Sequence, residues 1–147
     1  MRRFEFVNTY KNKEGKPTLP TRATARSAAY DFYSPVNVVI PAGECCLIWT
    51  DVKASMESDE VLLINVRSSM GKQPVMLANT QGWIDADYYG NPDNDGNIGI
   101  NLHNMGNTDY WVNAGSRIAQ GMFIKYLTTD DDDASGERTG GMGSTGK

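Results

Sequence analysis

The chain has 147 residues, 39% of them hydrophobic, and a formal net charge of −4 from 14 Lys and Arg against 18 Asp and Glu. That length predicts one domain whose large surface relative to its core makes self-association a natural remedy. The acidic balance and the lack of a basic run argue against a nucleic-acid partner, because neutralising a phosphate backbone takes clustered Lys and Arg. A pocket for one small phosphorylated molecule remains open. No apolar run approaches the ~20 residues of a membrane helix, and residues 1–8 lack the apolar segment of a secretory signal. No membrane partner is expected.

Helical periodicity is scarce and strand signals are frequent. Residues 4–7, 36–40, 45–49, 61–66, 75–78, 98–102 and 118–127 read as short apolar or alternating strands. Gly, Pro, Asn and Asp punctuate them, as at Pro41-Ala42-Gly43, Asn91-Pro92-Asp93 and Asn113-Ala114-Gly115. Many short strands with turn residues between them predict an all-β barrel or jelly roll. Residues 68–73 could hold one helical turn. Cys45 and Cys46 are adjacent, which disfavours a bridge between them, so they read as reduced thiols and suggest a cytosolic setting. His103 is the lone histidine, and a zinc site is not expected. From residue 130 the character changes: four consecutive aspartates, Asp130 to Asp133, precede a Gly, Ser and Thr segment. Such a segment cannot bury enough apolar area to offset its ordering entropy. The division expected is therefore a β domain over 1–129 and a flexible tail over 130–147.

Several clusters carry possible chemistry. Gly141-Met142-Gly143-Ser144-Thr145-Gly146-Lys147 imitates a Walker A loop, but the chain stops where a helix must follow, so a P-loop is excluded. Its glycine amides and hydroxyls still suit an anion, and Arg138 adds a planar cation matched to phosphate. In Gly82-Trp83-Ile84-Asp85-Ala86-Asp87-Tyr88-Tyr89-Gly90, two carboxylates stand two residues apart. On a strand they would share a face; in a turn they would merely favour the turn. Arg67-Ser68-Ser69-Met70-Gly71 offers a cation and two hydroxyls at a strand end, with plain N-capping by Ser68 or Ser69 as the bland alternative. Asn91-Pro92-Asp93-Asn94-Asp95-Gly96 imitates a calcium loop, yet Leu102 stands where the closing acid belongs. It reads as a solvated loop without a role.

Taken in order, these segments resemble the five motifs of the trimeric all-β dUTPases. Ala29-Tyr30-Asp31-Phe32-Tyr33 is similar to the first, the Arg67 segment to the second and the Gly82 segment to the third. Gly115-Ser116-Arg117-Ile118-Ala119-Gln120 is similar to the fourth, and Arg138 to Gly146 to the fifth. The resemblance runs from about Ala23 to the C-terminus. It implies a distorted jelly roll of the β-clip type, a homotrimer with sites between subunits, and Mg²⁺-dependent hydrolysis of dUTP to dUMP and pyrophosphate in the cytoplasm (the host's, if phage-encoded). It implies that Asp85 is the general base and bonds the sugar 3′-hydroxyl. Tyr88 would exclude a ribose 2′-hydroxyl. Asn79, Gly82 and Ile84, on the hairpin, would read uracil through backbone groups. Asp31 would hold waters of the Mg²⁺ shell. Ser68, Ser69 and Gln120 would contact the α- and β-phosphates with Arg67 nearby, and Gly71 would also bind substrate. Arg138, Ser144 and Thr145 would close over the γ-phosphate, Gly143 would also bind substrate, and Met142, where the family usually has phenylalanine, would cover the base. The tail would cross from a neighbouring chain. Two other readings stand beside this one: a dCTP deaminase of the same fold, though the third segment lacks the glutamate such chemistry commonly uses, and a regulatory protein switched by nucleotide.

Overall fold

Eleven short strands carry residues 1–143, the part of the chain described by the computed structural model. In chain order they are β1 (Arg3–Phe6), β2 (Tyr30–Tyr33), β3 (Val38–Ile40), β4 (Cys45–Trp49), β5 (Val52–Ser55), β6 (Glu60–Asn65), β7 (Val75–Leu77), β8 (Gly82–Asp85), β9 (Gly99–Asn104), β10 (Tyr110–Val112) and β11 (Arg117–Lys125). Two 3-10 turns interrupt them, Ser68–Lys72 and Ala86–Tyr88. No helix among the described residues is long and apolar enough to cross a membrane. The all-β expectation holds, and each of the seven predicted strands is present within a few residues of its expected bounds. Residues 126–143 contain neither strand nor helix.

The strands form a four-stranded sheet in the order β2-β11-β6-β8, a three-stranded sheet β4-β9-β7, and two pairs, β1-β5 and β10-β3. All pairings are antiparallel. β9 shows why the sheets close on one core: Ile100, Leu102 and Asn104 are buried, while the alternate residues are only half-buried, as the two-residue side-chain period requires. Ile100 and Leu102 join Phe32, Ile40, Ile48, Leu62, Ile64 and Ile118 in one apolar cluster. Gly121 on β11 lets three strands approach closely. A Cβ there would stand 2.7 Å from Ile64 Cδ1 and 2.8 Å from a Phe32 ring carbon.

Four strands, β2, β5, β8 and β10, lie outside the seven predicted runs, β8 falling on the expected hairpin. β2 and β5 each carry a buried charge, Asp31 and Lys53, which breaks the apolar pattern. Both charges are paired, as burial demands. β10 has only three residues, too few for a period to show.

The 91–99 segment corrects the reading of a solvated loop. Asn91 and Asn97 are buried. Asn97 donates to Asp51 Oδ1 at 2.8 Å, and its own Oδ1 accepts from the Asp51 amide at 3.0 Å. Asp95, in the left-handed region at φ 59°, accepts from Lys53 Nζ at 2.9 and 3.0 Å. The Lys53 ammonium also lies 4.9 Å from the Tyr89 ring centre. Asp95→Ala leaves this ammonium nearly buried without its counter-charge. Breaking such a pair costs ~3–5 kcal/mol when fully buried. The Asp95 side chain is 24% exposed, so about 2 kcal/mol is expected here. A urea melt reads this as a lower midpoint with unchanged slope; an unmoved midpoint would show the pair to be idle.

Candidate active site

β8 and the turn after it build one cluster. β8 is held by β6, with Gly82 opposite Ile64 and Asp85 opposite Val61. The strand ends at Asp85, so Asp87 lies on the 3-10 turn and not on a shared strand face. The two carboxylates converge nonetheless, because one guanidinium spans them. Arg138 donates from Nη2 to Asp85 Oδ2 and from Nε to Asp87 Oδ1, each at 2.7 Å. Its plane stacks 5.7 Å from the Tyr88 ring centre. The Arg138 side chain is 10% exposed, whereas those of Asp85 and Asp87 are 58% and 56% exposed. Burial works against the Arg138 charge, but Asp87 and Asp85 outweigh it and hold its pKa above the ordinary arginine value.

Beside these charges lies a cavity of about 300 Å³. Asn79, Gly82, Ile84, Asp85 and Tyr88 line one side, Gly99 to Asn101 of β9 another, and Arg138, Met142 and Gly143 reach it from the tail. The glycine at 82 matters to the wall, since a Cβ there would press on Ile64 Cβ at 3.1 Å. Tyr88 is fixed rigidly. Its hydroxyl donates to the Asn97 carbonyl at 2.7 Å and accepts from Asn94 Nδ2 at 2.8 Å. Burial raises its pKa above the ordinary phenol value, against smaller opposing effects of Asn94 and Arg138. Gly96 (φ +81°) makes this possible, because a Cβ there would meet the Tyr88 carbonyl at 2.7 Å. Tyr88→Phe strands a buried carbonyl and an amide, at a cost of about 1–2 kcal/mol. Equilibrium urea unfolding measures it, and wild-type stability in the phenylalanine variant would mean that the hydroxyl does not anchor the ring.

A second cluster gathers at the other end of β6. Asp31 on β2 accepts from Arg67 Nε at 2.8 Å and from Arg117 Nη1 at 3.4 Å. Arg67 Nη1 also donates to Ser69 Oγ at 3.4 Å. Gln120 lies opposite both Asp31 and Asn65, and its amide donates to the Val66 carbonyl at 3.3 Å. Ser68, Ser69 and Gly71 are exposed on the 3-10 turn. Neither serine caps that turn; Arg67 occupies the cap position, and its side chain goes to Asp31 instead.

The sequence reading passed over Arg117, which sits three residues before Gln120. An odd spacing places two residues on opposite faces of a regular strand. The pairing slips by one residue between Arg117 and Ala119, a bulge that restores Arg117 to the Gln120 side. Nothing in the local sequence announces that bulge. Asn94 and Asn97 were also missed as site residues; the Asn and Asp richness of 91–97 was visible, but its folding back under Tyr88 was not.

The two clusters do not meet within one chain. Asp85 is in register with Val61 and Gln120 with Asn65. Four residues of strand separate them, roughly 13 Å at ~3.3 Å per residue. The tail, expected to cross to another subunit, lies in this single chain over its own cavity, with the Gly141 amide 3.3 Å from Asp93 Oδ2. Ser144 and Thr145 lie outside the described residues.

Residues 16–146 match the family model described as dUTPase. The chain is 41% identical over 149 residues to the deoxyuridine 5′-triphosphate nucleotidohydrolase of Lactococcus lactis, covering 99% of this chain and 98% of that one. It is 36% identical to the variola virus protein of the same name, over 86% of this chain and 84% of the other. Among solved structures, the dUTPase of Streptococcus mutans superposes with a TM-score of 0.78 at 38% identity, covering 86% of this chain and 98% of that one. With the model spanning almost the whole sequence and a relative matched end to end, the chain belongs to the dUTPase family.

Proposed function

We propose that the chain hydrolyses dUTP to dUMP and pyrophosphate by attack of water at the α-phosphorus, in sites completed by neighbouring copies. The observation that carries this reading is the cavity beside the hairpin, with the exposed Asp85 carboxylate at its mouth and the anchored Tyr88 in its wall. A flat base enters between the hairpin and β9. The deoxyribose lies on Tyr88, whose ring cannot swing aside to admit a 2′-hydroxyl. Asp85 orients the water and takes its proton, a contribution of roughly 10²–10⁴-fold. Arg138 holds Asp85 and Asp87 before substrate arrives. A triphosphate offers the guanidinium a competing bidentate partner, so binding frees Asp85 as it engages the tail. Met142 covers the base, and Gly143, with Ser144 and Thr145 beyond it, closes over the terminal phosphate.

The donor set fits Mg²⁺ supplied with the substrate. Among the described residues no three His, Cys, Asp or Glu side chains converge as a metal cage. Mg²⁺ is commonly held by phosphates, waters and one or two carboxylates. Asp31 is the residue that would hold waters of its shell. A carboxylate has about four acceptor sites, so the two arginine contacts leave capacity. The ion supplies charge neutralisation on the phosphate oxygens. Arg67 and Arg117 add fixed positive charge, and Ser68, Ser69, Gly71 and Gln120 supply donors around the inner phosphates.

Two observations support assembly as a homotrimer with sites shared between subunits. The Gln120 cluster lies too far along β6 to serve its own chain's Asp85. Beside Gln120, Met122 faces Leu63 across the strand pair, and a cavity of about 160 Å³ opens there between Ala29, Asn65 and Met122. Met122 is 37% exposed, so the Gln120 end of the sheet carries an apolar rim suited to another copy. The unpaired cysteines Cys45 and Cys46 suit a cytosolic enzyme.

Pyrophosphate release from dUTP, dTTP, dCTP and UTP, with Mg²⁺ and with EDTA, tests the reading. Release from dUTP with Mg²⁺, at rates far above the other three, is expected. Ammonia release from dCTP, or no release from dUTP, overturns it.

A further inference from the structure

The tail is exposed along most of its length, yet Gly140 and Gly141 are buried, alone among residues 126–143. What meets Gly141 is the loop after the hairpin. The Gly141 amide donates to Asp93 Oδ2 at 3.3 Å, and a Cβ on this glycine would stand 2.8 Å from that oxygen and 3.0 Å from Asn94 Nδ2. A residue without a Cβ lets the two backbones approach this closely. Asn94 is held firmly: its Oδ1 accepts from Asn91 Nδ2 at 2.7 Å and from the Gly96 amide at 3.1 Å, while its Nδ2 donates to the Tyr88 hydroxyl at 2.8 Å. Asp93 is exposed, and its carboxylate goes to the tail. The loop itself uses the Asp93 amide instead, which donates to Asn91 Oδ1 at 3.0 Å.

We infer that Asp93 is a positioning residue for the proposed reaction: its carboxylate accepts the Gly141 amide and seats the tail over the bound triphosphate, and Asn94 ties that seat to the Tyr88 ring. The inference rests on the dUTP reading of the cavity. Three residues before Gly141, Arg138 bonds Asp85 and Asp87, and a triphosphate draws that guanidinium away. The Asp93 bond uses no charged group of the tail, so it persists when the guanidinium leaves. A hydrogen bond to a carboxylate is stronger than one between neutral groups. It holds Met142 and Gly143, the next two residues, at the cavity they line. Fixing them in advance lowers the ordering entropy that closure costs. The seat belongs to the cavity and not to the chain that supplies the tail, so a neighbouring copy's tail finds the same acceptor. As a bare surface charge, Asp93 would act in the opposite direction and repel a triphosphate. The sign of its effect therefore separates the two roles.

Asp93→Ala, Asp93→Asn and Gly141→Ala test the assignment. In Asp93→Ala, kcat/KM for dUTP is expected to fall about tenfold, the loss of one hydrogen bond to a charged group. The melting temperature is expected to stay at the wild-type value, because the side chain is exposed. Asp93→Asn keeps an acceptor without the charge and is expected to recover part of the loss. Gly141→Ala is expected to lose as much as Asp93→Ala, since its Cβ displaces the carboxylate. The double variant is expected to lose no more than either single one, as two residues in one contact should. Trypsin cleavage after Arg138, with a non-hydrolysable dUTP analogue bound, follows the population of open tail; it is expected to run several-fold faster in Asp93→Ala than in wild type. An unchanged or raised kcat/KM in Asp93→Ala overturns the inference. So does additive loss in the double variant, or cleavage at the wild-type rate. Wild-type protein that releases no pyrophosphate from dUTP rejects the reading of the cavity itself; wild-type activity untouched by the substitutions rejects the role of Asp93 alone.

Discussion

Asp85→Asn is expected to lower kcat for dUTP by about 10³-fold while affinity for a non-hydrolysable dUTP analogue stays within a few-fold of wild type. The substitution keeps size and shape and removes only the charge and basicity. Asp85 contributes little to the fold: it is 58% exposed, it ends β8, and its ion pair with Arg138 is shared by Asp87. Arg138 keeps Asp87 as a partner when the Asp85 charge is removed, so its charge is not left unpaired. The loss therefore falls on the chemical step. Single-turnover pyrophosphate release and calorimetric titration of the analogue separate the two quantities. A variant that turns over at near-normal rates removes Asp85 as the base, and one that fails to bind the analogue makes it a binding residue instead.

Truncation after Asp133 is expected to reduce kcat on the order of 10²-fold, the cost of losing the groups that fix the triphosphate in line with the attacking water. The strands end at Lys125, and the described residues beyond Leu127 add nothing to the core cluster. Far-UV circular dichroism and the urea midpoint should match those of the full chain. The deletion removes Arg138, Met142 and Gly143 from the cavity wall, so closure over the substrate is lost. Unaltered turnover would show that the tail has no part in the reaction.

The parts of this architecture that obey a local period were readable from residue types. β4, β6, β9 and β11 show apolar runs or alternation long enough to register, and turns such as the one at Gly43 (φ +77°) carry their own chemical signature. What escaped depends on partners distant in sequence. β5 contains Lys53, whose burial makes sense only once Asp95 is placed 42 residues away. Arg117 faces Asp31 only because of a bulge that no single residue type marks. The Asn91 loop looked polar and therefore solvated, yet its amides point inward and hold Tyr88. At the site, motif order identified which residues to examine. It could not say that Asp85 and Gln120 stand at opposite ends of β6, because register is a property of the folded sheet.

That offset bears on inheritance as much as on chemistry. If each working site draws Asp85 from one copy and Gln120 from another, two differently damaged alleles need not be equally silent. A cell carrying one gene broken at Asp85 and another broken at Gln120 builds mixed particles in which some junctions pair two undamaged ends. Such alleles complement each other, whereas two alleles broken at the same end never do.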